Sequence, residues 1–169
     1  TNNFETHWWN NTVFYELFIR SFYDSNGDGI GDFKGITEKL DYLNDGDPNT
    51  SNDLGITGIW LMPMMESPTY HGYDVSDYCD IAPEYGTLND FERLLSTAHS
   101  LGLKLMIDIV AAHSSDQHPY FQESRQSKRN SKSDWYHWVD PMPDGTPPTN
   151  WLSFFGGSAW SWEPGRQQY

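Results

Sequence analysis

The chain has 169 residues, enough for one ordinary domain with a core of real size, and 24 Asp plus Glu against 10 Lys plus Arg give it a formal net charge of -14. A surplus of that sign repels a phosphate backbone, so nucleic acid is not an expected partner, and apolar runs only a few residues long exclude a membrane-spanning helix. A single cysteine, Cys79, excludes an internal disulfide framework and cysteine-rich zinc modules.

Aromatic residues reach 16%, with 8 Trp and 10 Tyr, in a chain whose mean hydropathy is -0.70. Such a composition suits a carbohydrate cleft as well as a core, because the C–H faces of sugar rings stack on flat side chains. Thr1-Asn2-Asn3-Phe4 shows no basic stretch followed by an apolar one, so no signal peptide is visible. A starting Thr leans towards a processed, exported protein, extracellular or periplasmic; nothing else in the sequence fixes the location.

In chain order, residues 13–19 (Val-Phe-Tyr-Glu-Leu-Phe-Ile) predict a mostly buried strand. A Gly/Asp loop follows, and then a helix opening near Asp32, with Phe33, Ile36, Leu40 and Leu43 along one stripe. Asn44 to Asp53 is turn material. Gly58-Ile59-Trp60-Leu61-Met62 is a continuous apolar run, the pattern of a parallel strand covered on both faces, ended by Pro63. A long loop from Pro63 to Gly86 carries Gly, Pro, Tyr and Asp, and loops of that length are usually functional or disordered.

Thr87-Leu88-Asn89-Asp90 predicts a capping box with Asp in place of Glu, ahead of a stripe of Phe91, Leu94, Leu95, Ala98 and Leu101 closed by Gly102. Lys104 to Val110 predicts a third buried strand holding one acid, Asp108. Residues 112–169 are rich in Trp, Ser, Pro and Gly with no periodicity, and Lys128, Arg129 and Lys132 among them read as solvated surface. Strand, helix, strand, helix, strand with short spacers predicts an α/β fold with a parallel sheet. Three strands can open either a doubly wound sheet or a (β/α)8 barrel, and a barrel of that kind needs about 250 residues.

Three constellations carry chemistry. Asp24-Ser25-Asn26-Gly27-Asp28-Gly29-Ile30-Gly31-Asp32 sets oxygen side chains at alternate positions among glycines, like the first part of an EF-hand loop. Side chains of Asp24, Asn26, Asp28 and Asp32 with the Ile30 carbonyl suit a calcium ion; the competing reading is a polar turn in which Asp32 caps the next helix. Gly35 stands where an EF-hand loop has its closing Glu. In the long loop, Tyr70-His71-Gly72-Tyr73-Asp74-Val75-Ser76-Asp77-Tyr78 presents Tyr73 as a stacking surface and Asp74 as a hydroxyl acceptor, or else is a Tyr-rich loop packed on itself. Asp108 to His113 runs off the third strand; an acid inside an apolar strand needs a partner, and His113 lies at the strand end where a substrate can reach it, although a lone His is more often structural.

The strand ending Phe-Ile-Arg-Ser-Phe, then Asp-Ser-Asn-Gly-Asp-Gly-Ile-Gly-Asp-Phe, His-Gly-Tyr-Asp-Val-Ser-Asp-Tyr, and Asp-Ile-Val-Ala-Ala-His-Ser-Ser-Asp-Gln-His-Pro resemble the α-amylase family of glycoside hydrolases. The resemblance covers nearly the whole chain. It implies the first three βα units of a (β/α)8 (TIM) barrel over residues 1–111, with residues 112–169 beginning an irregular domain inserted after the third strand. It also implies a retaining α-glucan hydrolase of α-glucosidase type, acting on α-1,4 or α-1,6 bonds of malto-oligosaccharides.

Within the family two signals diverge. Leu-Asn-Asp-Gly-Asp-Pro and Tyr-His-Gly-Tyr-Asp look like endo-acting α-amylases of an intermediate type, whereas the segment from Ala98-His99-Ser100 through Asp144 to Pro148 and Trp151 to Trp160 looks like exo-acting α-glucosidases. A non-catalytic sugar-binding or scaffold relative is the third reading. On the resemblance, Tyr73 stacks on the sugar being cleaved, Asp74 accepts from its far hydroxyls, and His113 bonds its 6-hydroxyl. Asp24, Asn26, Asp28, Ile30 and Asp32 match the family's calcium loop. Ala112 stands where the family has Asn, which removes a ligand of a second calcium.

The family's nucleophile, acid/base and stabilising carboxylates follow its fourth, fifth and seventh strands, and no acid here matches those motifs. No catalytic residue is therefore assigned, and the chain by itself is expected to be inert. Unpaired barrel edges are expected to promote self-association.

Overall fold

The computed structural model describes residues 7–169; the reading of Thr1 to Phe4 lies outside them. The chain folds as two compact units that divide between His113 and Ser114. The reason is local. The Tyr78 hydroxyl reaches the carbonyls of Val110 (2.8 Å) and His113 (2.5 Å), fastening the segment after the third strand to the first unit.

That unit is built on a parallel sheet of β1 (Phe14–Leu17), β2 (Gly58–Leu61) and β5 (Lys104–Ile107), with β2 in the centre. Leu17, Leu61 and Ile107 share one row of the register, and Tyr15, Ile59 and Leu105 another on the same face. Leu17, Ile59 and Leu61 are fully buried there, against the apolar stripes of α2 (Phe33–Glu38), α3 (Leu40–Leu43) and α4 (Leu88–Ser100). The opposite face carries Glu16, Trp60 and Met106 in one row. Met106 is 41% exposed, so among the described residues the strands are covered fully on one face only, and the expected burial on both is corrected. The first strand is also shorter than residues 13–19: after Phe18 the backbone turns into the single helical turn α1 (Ile19–Phe22).

The stripe of Phe33, Ile36, Leu40 and Leu43 is buried as expected, but the helix breaks at Lys39 into α2 and α3. Asp32 caps α2 by accepting from the Gly35 N–H at 2.7 Å. The capping box of α4 is present in both directions between Thr87 and Asp90. The stretch from Pro63 to Gly86 is more ordered than a plain loop. It holds an antiparallel pair, β3 (Met65–Glu66) with β4 (Asp77–Ile81), and a short 3-10 turn at Pro83–Tyr85.

The second unit, Ser114–Tyr169, contains a helix that periodicity missed, α5 (Pro119–Gln126), capped by His118, whose Nδ1 accepts from the Tyr120 N–H. Arg166 is 6% exposed and gathers the unit by donating to the carbonyls of Ser124, Ser127 and Ser133 while lying over the Trp138 ring. Two of the cations expected to be plain surface are engaged: Lys128 pairs with Asp140 at 2.6 Å, and the Lys132 ammonium sits 3.5 Å from the Trp135 ring centre. No helix among the described residues is long and apolar enough to cross a membrane.

Candidate functional site

The site forms where the segments after β2 and β5 meet. Past β2 the chain must reverse tightly at Gly72, whose φ is +78°, and a Cβ there would stand 2.9 Å from the Pro63 Cβ and 3.0 Å from the Pro63 carbonyl oxygen. Only glycine meets both demands. Tyr73 follows directly and is held at three points. Its N–H donates to His71 Nδ1 (3.1 Å), its carbonyl accepts from His113 Nε2 (2.6 Å), and its hydroxyl donates to Asp108 Oδ2 (2.9 Å).

Burial, and then the bond to Asp108 and the charges of Asp108 and Glu16, push the Tyr73 phenol up to about 12. The carbonyl partner requires a proton on His113 Nε2, so the neutral ring presents Nδ1 as an acceptor.

Asp74 accepts from Ser67 Oγ at 2.6 Å and from Thr69 Oγ1, with His71 Nδ1 3.9 Å away. Burial raises its pKa, but the two hydroxyl bonds and the His71 ring outweigh that and hold the carboxyl below the ordinary range. Asp74 is thus an ionised acceptor at neutral pH and not a proton donor. Thr69 Oγ1 also meets His71 Nε2 at 3.0 Å, so one hydroxyl joins the imidazole to the carboxylate.

Tyr73, Asp74 and His113 therefore come together from two strand ends. Sequence reasoning passed over Ser67 and Thr69, which aim Asp74, and Tyr78, which fastens His113. Ser67-x-Thr69 just ahead of His71 was the available signal for the first pair; nothing local marks Tyr78.

The loop from Asp24 to Asp32 keeps to itself. Asp24 accepts from the N–H groups of Asn26, Gly27 and Gly29, Asp28 from that of Ile30, and Asp32 from Ser25 and Gly35. Gly27 (φ +83°) and Gly29 (φ +91°) supply the curl. The backbone bonds from Gly29 and Gly27 lead in holding Asp24 below the ordinary carboxylate range. The donors are the hard oxygens a calcium ion takes. Their convergence is not that of a closed shell: among the described residues no three His, Cys, Asp or Glu side chains are grouped so as to hold a metal ion. Asp32 in particular is turned to its helix and to Ser25.

The model of the alpha amylase catalytic domain matches residues 16–169. The chain belongs to the alpha-amylase family. Among curated members it is 53% identical over 163 residues to a probable alpha-glucosidase of Rhizobium meliloti (strain 1021), covering 96% of this chain and 28% of that protein. It is 50% identical over 165 residues to an oligo-1,6-glucosidase of Heyndrickxia coagulans, covering 97% and 28%. Among solved structures, the alpha-glucosyl transfer enzyme XgtA superposes with a TM-score of 0.90 at 55% identity, over 98% of this chain and 30% of that one. The chain thus spans under a third of the length of these relatives.

Proposed function

We propose that this chain supplies the glucose-holding rim of an α-glucosidase-type glycoside hydrolase that cleaves α-1,4 or α-1,6 glucosidic bonds in malto-oligosaccharides. Its sheet is read as the first three βα units of a (β/α)8 barrel, and residues 112–169 as the start of an inserted domain. The observation that carries the reading is the 2.6 Å bond from the His113 imidazole to the Tyr73 carbonyl, which ties the imidazole to the segment that bears the Tyr73 ring and the ionised Asp74. A pyranose ring needs all three, since its C–H face seeks a flat ring while its hydroxyls seek directional partners. Tyr73 stacks on the sugar, Asp74 accepts from its far hydroxyls, and His113 accepts from the 6-hydroxyl through Nδ1. The names of the relatives favour the exo-acting reading over endo-acting α-amylase.

Retaining hydrolysis needs a nucleophilic carboxylate and a protonated one about 5 Å apart. Asp74, held ionised, is not that acid, and since no other acid of the chain is assigned either role, the chain is expected to bind without cleaving. We assign calcium to the loop of Asp24, Asn26, Asp28, Ile30 and Asp32 on its donor chemistry.

Titration with maltose or acarbose, followed by ¹H–¹³C spectra of labelled Tyr and His rings, tests the rim. Tyr73 and His113 are expected to shift together, Asp74→Ala is expected to weaken the response about ten-fold (the loss of a charged hydrogen bond), and no product is expected to form. Resonances unmoved at millimolar sugar reject the reading.

A further inference from the structure

Asp108 directly follows β5, which ends at Ile107 and not at the expected Val110, and the sugar contacts leave its carboxylate unused. Its backbone N–H donates to the Leu61 carbonyl at 3.1 Å, continuing the alignment of β5 with β2, so the residue is fixed to the rigid part of the sheet. Its carboxylate faces away from the ladder and takes the Tyr73 hydroxyl at 2.9 Å, across 35 residues of sequence. Tyr73 itself rides on a glycine turn, and its backbone is already held at N–H by His71 and at C=O by His113. Those two bonds fix the main chain and not the side chain, and of the contacts the ring makes, with the His71 ring 6.2 Å away, the bond to Asp108 is the directional one.

From this geometry we infer that Asp108 is a positioning residue: it locks the Tyr73 ring in one rotamer and commits the phenol proton, so that the ring meets a ligand by its face and not by its hydroxyl. The inference rests on the proposed sugar rim for its purpose, but the lock can be measured without sugar. A platform ordered in advance loses no rotamer entropy when a ring stacks on it. The charged and titratable groups around the phenol are Asp108 on the segment after β5, Glu16 on β1, and His71 in its own loop, whose ring lies 6.2 Å from that of Tyr73 at 27°.

The test uses the whole chain with ¹³C-labelled tyrosine, comparing wild type with Asp108→Ala, Asp108→Asn and Tyr73→Phe. Three-bond couplings at Tyr73 should report one χ1 rotamer in wild type and averaging in Asp108→Ala. Asp108→Asn keeps an acceptor oxygen and should keep the single rotamer, while the phenol midpoint falls below about 12 because the charge is gone. Maltose affinity should drop about five-fold in Asp108→Ala, equally in Tyr73→Phe, and no further in the double variant, the behaviour of two ends of one hydrogen bond.

An unaveraged rotamer in Asp108→Ala overturns the inference, and so does an averaged one with unchanged maltose affinity. If Asp108→Ala does not fold, Tyr73→Phe decides: a ring at position 73 that keeps one χ1 rotamer without its hydroxyl overturns it. A rotamer that responds in a chain that binds no maltose in any form leaves the lock standing and removes the sugar rim instead.

Discussion

At the scale of single residues, the loop of Asp24 to Asp32 shows how far a carboxylate can be satisfied by its own backbone. Oδ1 of Asp24 accepts the N–H groups of both Asn26 and Gly27, while Oδ2 accepts only that of Gly29 and keeps a lone pair for a cation. What a calcium ion must do is draw Asp28 and Asp32 towards Asp24 against like-charge repulsion, which the ion itself cancels. Calcium added to chelator-treated protein is accordingly expected to raise Tm by roughly 5 to 10 °C at about 100-fold excess over Kd, with heat released in calorimetry and the effect lost in Asp28→Ala. A flat titration by both measurements removes calcium from the account.

Oxygen spacing, a glycine before an aromatic, and a strand end are local signals that nominated this loop, Tyr73, Asp74 and His113 beside competing readings, and their roles came from the family resemblance. The partners that aim them were not legible. Tyr73 to Asp108 and Tyr78 to His113 each span 35 residues, and no local spacing encodes a contact made only after two strands have paired.

At the scale of elements, apolar pattern reported burial more faithfully than it reported geometry. Phe33, Ile36, Leu40 and Leu43 all lie in the core, yet the backbone breaks between the second and third of them, since a stripe constrains which side chains point inward and not every φ and ψ along the way. The Met65–Glu66 and Asp77–Ile81 pair escaped notice because four of the five residues of β4 remain at least partly accessible, leaving no alternation to read. In the second unit, the signal for α5 was Pro119 at its first turn behind a capping His118, a start signal without the apolar stripe that normally supports it.

Polar contacts take over that supporting role, and Arg166 is their hub. It donates to Ser124, Ser127 and Ser133 carbonyls and to the Gln168 side chain. Arg166→Met keeps the stem but removes the donor to Ser133 and leaves the Ser124 and Ser127 carbonyls only Asn130 Nδ2, at a cost of roughly 2 to 3 kcal/mol. Hydrogen exchange should show α5 losing protection while the amides of β1, β2 and β5 keep theirs. Protection of α5 unchanged from wild type would show that its aromatic contacts, Phe121 with Trp138 and Tyr136, suffice alone.

At the scale of the whole molecule, two opposing terms set how copies of the chain meet. Among the described residues β1 and β5 are the outer strands of the parallel sheet, and the face bearing Glu16, Trp60 and Met106 is incompletely covered. Outer strands with free ladder groups pair readily with other chains, and an accessible apolar residue beside them adds to the attraction. Against this stands a net charge of -14, which repels like molecules over the Debye length, about 10 Å at 0.1 M salt and about 3 Å at 1 M.

The sum gives a direction that neither term gives alone: association should rise with ionic strength, the reverse of a complex held by ion pairs. Sedimentation velocity across protein concentration at both salt levels is expected to show monomer favoured at the lower and dimer or larger species at the higher. Met106→Lys, which puts a charge on the uncovered face, should shift the balance back to monomer at high salt. A chain that stays monomeric throughout would show that its outer strands are protected by their own twist or side chains. Association that weakens with salt would instead assign it to charge pairing outside the sheet.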